Sequence, residues 1–273
     1  MGIEQFRYDG KRAVIVGGAT GMGAATATLL AELGAELVVL DVQDVEYEVS
    51  RSVRVDLRDP ASIDAALDAV GGPIDALFAC AGIAIDGIPL MQVNFIGHRH
   101  LIEGAIERGL LPPGSAIAGI ASIGGLGWDR STKVIRDLLD TPTFERATAW
   151  MELHPELAHY TFSKQALIAY CAWRAPVLLR QGIRINCTAP GPTMTPLMDA
   201  TQLWIDFEAD YRKVMGVSGA TAEQQAAPLV FLNSDAASFI SGTVLNVDAG
   251  YVGGGTMGSI SAAVVDMLAP AIG

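Results

Sequence analysis

Val14-Ile15-Val16-Gly17-Gly18-Ala19-Thr20-Gly21-Met22-Gly23 is the stretch whose reading decides the fold. Three β-branched residues run into a glycine-rich turn, and the turn opens a helical pattern of small residues. Glycine lets a backbone approach a bound group closely, and a helix N-terminus offers free N–H groups that favour negative charge. A strand, a glycine turn and a helix in that order predict a seat for the pyrophosphate of a dinucleotide, with Gly17, Thr20, Gly21, Met22 and Gly23 around it.

Outward from this turn, short β-rich runs at 13–16, 36–40, 53–55, 76–79, 116–120, 184–187 and 244–247 predict seven strands. Helical patterns near 22–33, 61–70, 90–108, 160–181 and 221–232 separate them. Apolar strands divided by helices imply βαβ units and a parallel sheet covered on both faces. With right-handed crossovers this is a doubly wound α/β fold, a Rossmann fold, with ligands at the carboxyl ends of the strands. No repeat, low-complexity tract or linker interrupts residues 1–273, so one dinucleotide-binding catalytic domain is expected.

Composition narrows the class. Hydrophobic residues make up 51% of the 273, enough for a large core, and the net charge of −12 speaks against nucleic acid and anionic membranes as partners. Cys80, Cys171 and Cys187 sit in apolar runs without a Cys-x-x-Cys pair, which fits a reducing cytoplasm. The polar N-terminus has no apolar core before a cleavage site, and the longest apolar stretches are shorter than a bilayer requires. A cytoplasmic location is expected. The apolar tail 259–273, broken by Asp266 and Pro270, reads as a docking segment. His98, His100, His154 and His159 are not grouped with Cys or carboxylates, so no metal site is expected.

Asp41 ends the second predicted strand, eighteen residues after Gly23. A carboxylate there accepts from the hydroxyls of an adenine ribose and repels a 2′-phosphate. Val42 follows it, with no adjacent Arg, which favours NAD over NADP. Asp56, in Val55-Asp56-Leu57, either accepts from the adenine amino group or caps the helix after Pro60.

Tyr160 and Lys164 are four apart on a predicted helix and share a face. A free phenol has a pKa of about 10, and a fixed positive charge beside it favours the phenolate. The pair thus predicts an acid/base for a carbinol or carbonyl oxygen, with Lys164 lowering the pKa of Tyr160.

Together these motifs resemble the short-chain dehydrogenase/reductase family over nearly the whole chain. The glycine turn is followed by Cys80-Ala81-Gly82, Asn94 in Val93-Asn94-Phe95, Ser122, Tyr160/Lys164, Pro190-Gly191 and Asn246-Val247-Asp248-Ala249-Gly250, in the family's order. The resemblance implies Tyr160 as acid/base and Lys164 as its partner and holder of the nicotinamide ribose. It implies Ser122 as the donor to the substrate oxygen and Asn94 as organiser of a water relay. It places Cys80, Ala81 and Gly82 by the adenine-side ribose with Ile83 flanking, Leu57 beside Asp56, Pro190, Gly191 and Thr193 by the nicotinamide, and Thr195 by the pyrophosphate. A homodimer or homotetramer is implied.

Three departures stand out. Gly18-Ala19-Thr20-Gly21 has two residues between glycines where the family usually has three, with Gly17 in place of Thr. Cys80 replaces the usual Asn. Ser122 and Tyr160 are 38 residues apart, so an insertion fills about 125–159. The first and third together are similar to the bacterial 3α-hydroxysteroid dehydrogenase/carbonyl reductase branch. The insertion reads as two helices joined by a short turn. It is either a lid carrying Trp128 and Trp150 to the substrate, or an oligomer contact or packing on the sheet edge.

A mobile substrate lid is expected at about 194–219, with Met194, Met198 and Trp204 on it and Gly216 and Gly219 as hinges. No Lys or Arg lies between Cys187 and Tyr211. The expected substrate is therefore an apolar secondary alcohol or ketone, such as a steroid, terpenoid or aromatic carbonyl, oxidised or reduced with NAD. The competing readings are a 3-oxoacyl thioester reductase and a non-catalytic NAD-binding sensor. The joint presence of Asn94, Ser122, Tyr160 and Lys164 favours chemistry over sensing.

Overall fold

The computed structural model describes residues 2–197 and 202–261, with the side chains of 202–204 left aside. Strands β1 (Arg12–Val16), β2 (Glu36–Asp41), β3 (Arg51–Arg54), β4 (Ala76–Ala79), β5 (Ala116–Ile120), β6 (Arg184–Pro190) and β7 (Val244–Val247) form one sheet. Its order is β3-β2-β1-β4-β5-β6-β7 and every pairing is parallel. The helices between them are α1 (Gly21–Glu32), α2 (Pro60–Ala69), α3 (Ile88–Met91), α4 (Gly97–Glu107), α5 (Thr132–Leu139), α6 (Phe144–Glu152), α7 (Tyr160–Leu179), α8 (Gln202–Met215), α9 (Ala222–Asn233) and α10 (Tyr251–Thr256). This is the doubly wound Rossmann-type α/β fold expected.

The strands are apolar at successive positions because both faces are buried. Val14, Val16, Val38, Leu40, Leu77, Ile117 and Ile185 face a core completed by Ile63 and Leu67 of α2, Leu101 and Ile102 of α4, and Phe162 and Leu167 of α7. Ala13, Ile15, Leu37, Val39, Phe78 and Ala118 face the other way, against Ala27 and Leu30 of α1 and Leu229, Val230 and Leu232 of α9. Alternate residues therefore serve opposite cores, which is how a period of two hides inside a continuous apolar run. Burial of each such Leu, Ile or Phe contributes about 1.5–3 kcal/mol.

Two strands differ from expectation. β3 is an edge strand whose Arg51, Ser52 and Arg54 are exposed, so its pairing from Val38↔Arg51 to Asp41↔Arg54 lay two residues before the apolar signal. β6 continues three residues past Cys187, where Pro190 still pairs with Val247. The expected helix 90–108 is α3 and α4 joined through a π-helical turn, Gln92–Ile96, which carries Asn94.

The insertion is helical as predicted, with α5 and α6 as its two helices. Its buried Ile135, Leu138, Leu139, Phe144, Ala147 and Met151 join the core on the α4/α7 side. Arg99 of α4, itself buried, donates through Nη1 to the carbonyls of Leu138 (3.1 Å) and Leu139 (3.3 Å). Its Nη2 donates to Thr141 Oγ1 (3.0 Å) and the Thr143 carbonyl (3.5 Å). One guanidinium thus satisfies the open end of α5 and the turn into α6, whose N-cap is Thr143. Among the described residues, the insertion packs on α7 through α5, on α3 and the π-helical turn through α6, and on Arg99 of α4, not on the edge strands β3 and β7.

Candidate active site

The carboxyl ends of β1, β2, β4, β5 and β6 open into one cavity of about 630 Å³, within the range of small-molecule sites. Its wall includes Gly17, Thr20, Gly21, Met22, Gly23, Asp41, Val42, Asp56, Leu57, Cys80, Ala81 and Gly82, and also Ser122, Tyr160, Lys164, Pro190, Gly191, Thr193 and Thr195. These residues, far apart in the chain, converge because each follows the carboxyl end of a strand or opens the next helix.

The glycine turn is built for close approach. Gly17 has φ +81°, and a Cβ there would stand 2.4 Å from the Ala81 backbone. A Cβ on Gly23 would meet the Gly17 carbonyl oxygen at 1.9 Å. Thr20 is the N-cap of α1 but makes no side-chain cap bond, so the first N–H groups of the helix are left to a ligand. Asp41 accepts from Ala19 N (2.8 Å) and Gln43 N (2.9 Å). These features, with Tyr160 and Lys164 along the same cavity, fit a nicotinamide dinucleotide.

Asp56 lines the cavity with its carboxylate held by Arg58, which donates through Nη2 at 2.6 Å and through Nε at 2.9 Å. The Arg58 guanidinium lowers the Asp56 pKa. The capping alternative for Asp56 is corrected: Asp59 caps α2, accepting from Ala61 N at 3.0 Å, because it directly precedes Pro60. Arg58 itself also lines the wall, and sequence reading had passed over it.

Tyr160 begins α7, and its backbone N–H donates to Asp86 (2.9 Å). His159, the N-cap, accepts from Phe162 N through Nδ1 (3.3 Å). Burial pushes the Tyr160 phenol up to about 12, and a hydrogen bond with Ser122 acts in the opposite direction. Lys164 Nζ lies 5.5 Å from the Tyr160 ring centre and donates to the Ile120 carbonyl (2.9 Å), while burial pulls its pKa down to about 8. The expected lowering of Tyr160 by Lys164 is therefore not seen: desolvation governs both groups, and the ammonium is directed at a carbonyl.

Asn94 stands just behind the wall. It accepts from Ile83 N (2.8 Å) and donates to the Ile83 carbonyl (3.0 Å) and Ser163 Oγ (3.2 Å). Its amide thus fixes the segment after β4 that passes beside Lys164. A Cβ on Gly82 would lie 3.5 Å from Asn94 Oδ1 and 3.7 Å from Lys164 Nζ. One α-helical turn on, the fully buried His98 hydrogen-bonds the Ala81 carbonyl through Nε2 (2.9 Å), and burial pulls its pKa down to about 4. Sequence reading assigns His98 no role beyond the absence of metal-ligand grouping; its tie to the cavity wall has no signature in sequence. The Cys80 thiol is held protonated, burial pushing it up to about 12.

Among the described residues, the expected substrate residues Trp128, Trp150 and Met194 are not part of the cavity wall. Trp128 lines a separate hollow of about 310 Å³ with Trp173 and Arg136, because the insertion turns that face toward α7. Trp150 stacks on His154 at 4.0 Å between ring centres. Met194 is exposed and does not line the wall, and its N–H donates to the Ala220 carbonyl (2.9 Å). Met198 and the Trp204 side chain lie outside the described residues, as does most of the tail 259–273. The wall instead carries Ile85, Val93, Ile123, Leu197 and Phe207 as large apolar side chains. Of the expected hinges, Gly216 (φ +69°) has open space around it, whereas a Cβ on Gly219 would touch the Pro192 carbonyl at 2.8 Å.

Comparison with known proteins agrees with this geometry. Residues 11–127 match the family described as short chain dehydrogenase, and residues 147–252 match one described as enoyl-(acyl carrier protein) reductase. The chain is 31% identical to the 3-alpha-hydroxysteroid dehydrogenase/carbonyl reductase of Comamonas testosteroni, over 87% of this chain and 95% of the relative. It is 29% identical to a coniferyl-alcohol dehydrogenase from a Pseudomonas species, over 88% and 96%. Among solved structures it resembles the 3-alpha-hydroxysteroid dehydrogenase from Pseudomonas sp. B-0831 complexed with NADH, with a TM-score of 0.74 and 28% identity, covering 91% of this chain and 99% of that one. Among the described residues no helix is long and apolar enough to cross a membrane.

Proposed function

The chain belongs to the short-chain dehydrogenase/reductase family of oxidoreductases, and from that premise we propose that it transfers a hydride between NAD and an apolar secondary alcohol or ketone, hydroxysteroids included. The observation that carries this reading is the division of the cavity wall. Among the described residues its charged side chains are Asp41, Asp56 and Arg58 at one end and Lys164 beside Tyr160. The rest of the described wall is uncharged, with Ile85, Val93, Ile123, Leu197 and Phe207 among its apolar members and Ser122 and Thr161 among its polar ones. Among the described residues the wall's two cations are already engaged, Lys164 with the Ile120 carbonyl and Arg58 with Asp56. A phosphate, carboxylate or carrier-linked thioester therefore finds no free cation, whereas a neutral hydrocarbon with one oxygen needs none.

When bound, the dinucleotide supplies the hydride donor or acceptor. Tyr160 gives or takes the proton on the substrate oxygen, its phenol protonated at neutral pH and so ready to donate to a carbonyl. Ser122, hydrogen-bonded to that phenol, shares the same oxygen and stabilises charge developing on it. Lys164 holds a proton next to Tyr160 and passes it on, and Asn94 organises that path through the Gly82–Ile83 segment. Asp41 receives the adenine-side ribose and disfavours a 2′-phosphate, which selects NAD over NADP. The same reading carries a single catalytic domain over 1–273 and a cytoplasmic homo-oligomer.

An assay following nicotinamide absorbance over steroids, terpene alcohols and aryl carbinols or ketones tests this directly. Tyr160→Phe should lower turnover about 10²- to 10⁴-fold. Turnover unchanged by that substitution would sink the mechanism, and a preference for NADP would sink the reading of Asp41.

A further inference from the structure

The turn between β1 and α1 has almost nothing of its own to hold it in shape. Gly17, Gly18 and Gly21 have no side chains, Ala19 has a methyl group, and Thr20 makes no cap bond. Yet the N–H groups that face the cavity keep their directions only if the peptide planes of this turn do not rotate. A flexible turn would have to be ordered when a ligand binds, at the expense of affinity.

One peptide unit in the turn is gripped from both ends. The Tyr47 hydroxyl donates to the Gly18 carbonyl at 2.5 Å, and the Ala19 N–H donates to Asp41 Oδ2 at 2.8 Å. That carbonyl and that N–H belong to the same plane, so a flip between Gly18 and Ala19 would break both bonds at once. The grip has a firm base. Tyr47 packs, with Val45 and Val49, against the core that holds Val39 and Ala27. Asp41 is itself oriented by Gln43 N at its other oxygen. Burial pushes the Tyr47 phenol up to about 12, with the Asp41 carboxylate acting the same way, so the hydroxyl stays a donor across the working pH range.

We propose that Tyr47 is a positioning residue for the dinucleotide, presetting with Asp41 the turn that receives the pyrophosphate. This rests on the dinucleotide reading of the cavity. Asp41 then has two tasks, one toward the ribose and one toward the turn, and its replacement disturbs both.

Tyr47→Phe removes the hydroxyl and keeps the ring in its place. Equilibrium titration of the full chain with NADH, read by nucleotide fluorescence without substrate, should give a dissociation constant about fivefold higher than the native chain, the effect of one neutral hydrogen bond. The KM for NAD should rise in step while kcat at saturating NAD holds, and the unfolding temperature should fall by no more than the few degrees that one lost hydrogen bond gives. NADH affinity within about twofold of native overturns the proposal, given the size of such a bond. So does a lowered unfolding temperature without a change in affinity, which marks the hydroxyl as a structural prop. Parallel titration with NADPH separates the two readings. If the native chain prefers NADPH, the NAD assignment fails and the same fivefold criterion applies to NADPH; if it binds neither dinucleotide, both fail.

Discussion

The Lys164 ammonium lies 5.5 Å from the centre of the Tyr160 ring, yet its hydrogen bond runs to the Ile120 carbonyl at 2.9 Å. A buried cation that does not neutralise a partner is a stability cost kept for another purpose. Its pKa is drawn down from 10.5 to about 8 by burial. Between those values the unfolded chain holds a proton that the native chain has released, so the cost is full below pH 8 and vanishes above pH 10.5. Lys164→Met should therefore stabilise the fold by on the order of 2 kcal/mol at pH 7 while abolishing turnover. Thermal unfolding at pH 7 and pH 10.5 reads this; a Met variant less stable than native at neutral pH would refute it.

The Ser122–Tyr160 hydrogen bond predicts a pH signature. In alcohol oxidation Tyr160 acts as the base, so the rate should climb with pH toward its raised pKa of about 12. Ser122 is the one group acting against burial at that phenol. Ser122→Ala should move the alkaline rise to higher pH and lower kcat about 10²-fold, as loss of an oxyanion donor does. A profile that drops in height without moving along the pH axis would show that Ser122 acts on substrate alone.

The Arg99 clamp separates the two roles open to the insertion. Arg99→Leu removes the guanidinium donor from the Leu139 and Thr143 carbonyls and from Thr141 Oγ1, while the Leu138 carbonyl keeps Thr141 N and Oγ1 as donors. The expected loss is about 2 kcal/mol of stability, the scale of hydrogen bonds to a charged group. Limited proteolysis should cut first within 125–159, with NADH affinity retained. Cleavage elsewhere, or loss of NADH binding alongside it, would mean that the insertion is coupled to the cavity.

Much of this site was legible because topology does the work. Once strands alternate with helices in a parallel sheet, residues at the strand ends must converge, which places Gly17 and Asp41, while Ala81, Ser122 and Pro190 were implied by the family resemblance. Trp128 and Trp150 were misplaced for a different reason. A helix pattern shows that one face is buried, and only the partner surface, here α4 and α7, decides which way the residue beside that face points. β3 was blurred because an edge strand carries Arg51, Ser52 and Arg54 outward and has little apolar signal. Tyr47 and His98 act on backbone groups of distant residues, Gly18 and Ala81, and no spacing in sequence encodes a bond to a carbonyl across the fold.

His98 makes the fold sensitive to acid. Its ring is 1% exposed, its Nε2 bonds the Ala81 carbonyl, and Nδ1 has no partner among the described residues. Burial draws its pKa from 6.5 to about 4. In that interval the unfolded chain takes up a proton that the native chain refuses, so stability falls as pH falls, by about 1.4 kcal/mol per unit from this group. His98→Gln keeps a donor for Ala81 and cannot be protonated. Urea unfolding of both chains at pH 7, 5.5 and 4.5 should show the variant losing stability less steeply than native below pH 6.5. Parallel lines for the two proteins would mean that other groups carry the acid limb and that His98 is not the residue that titrates there.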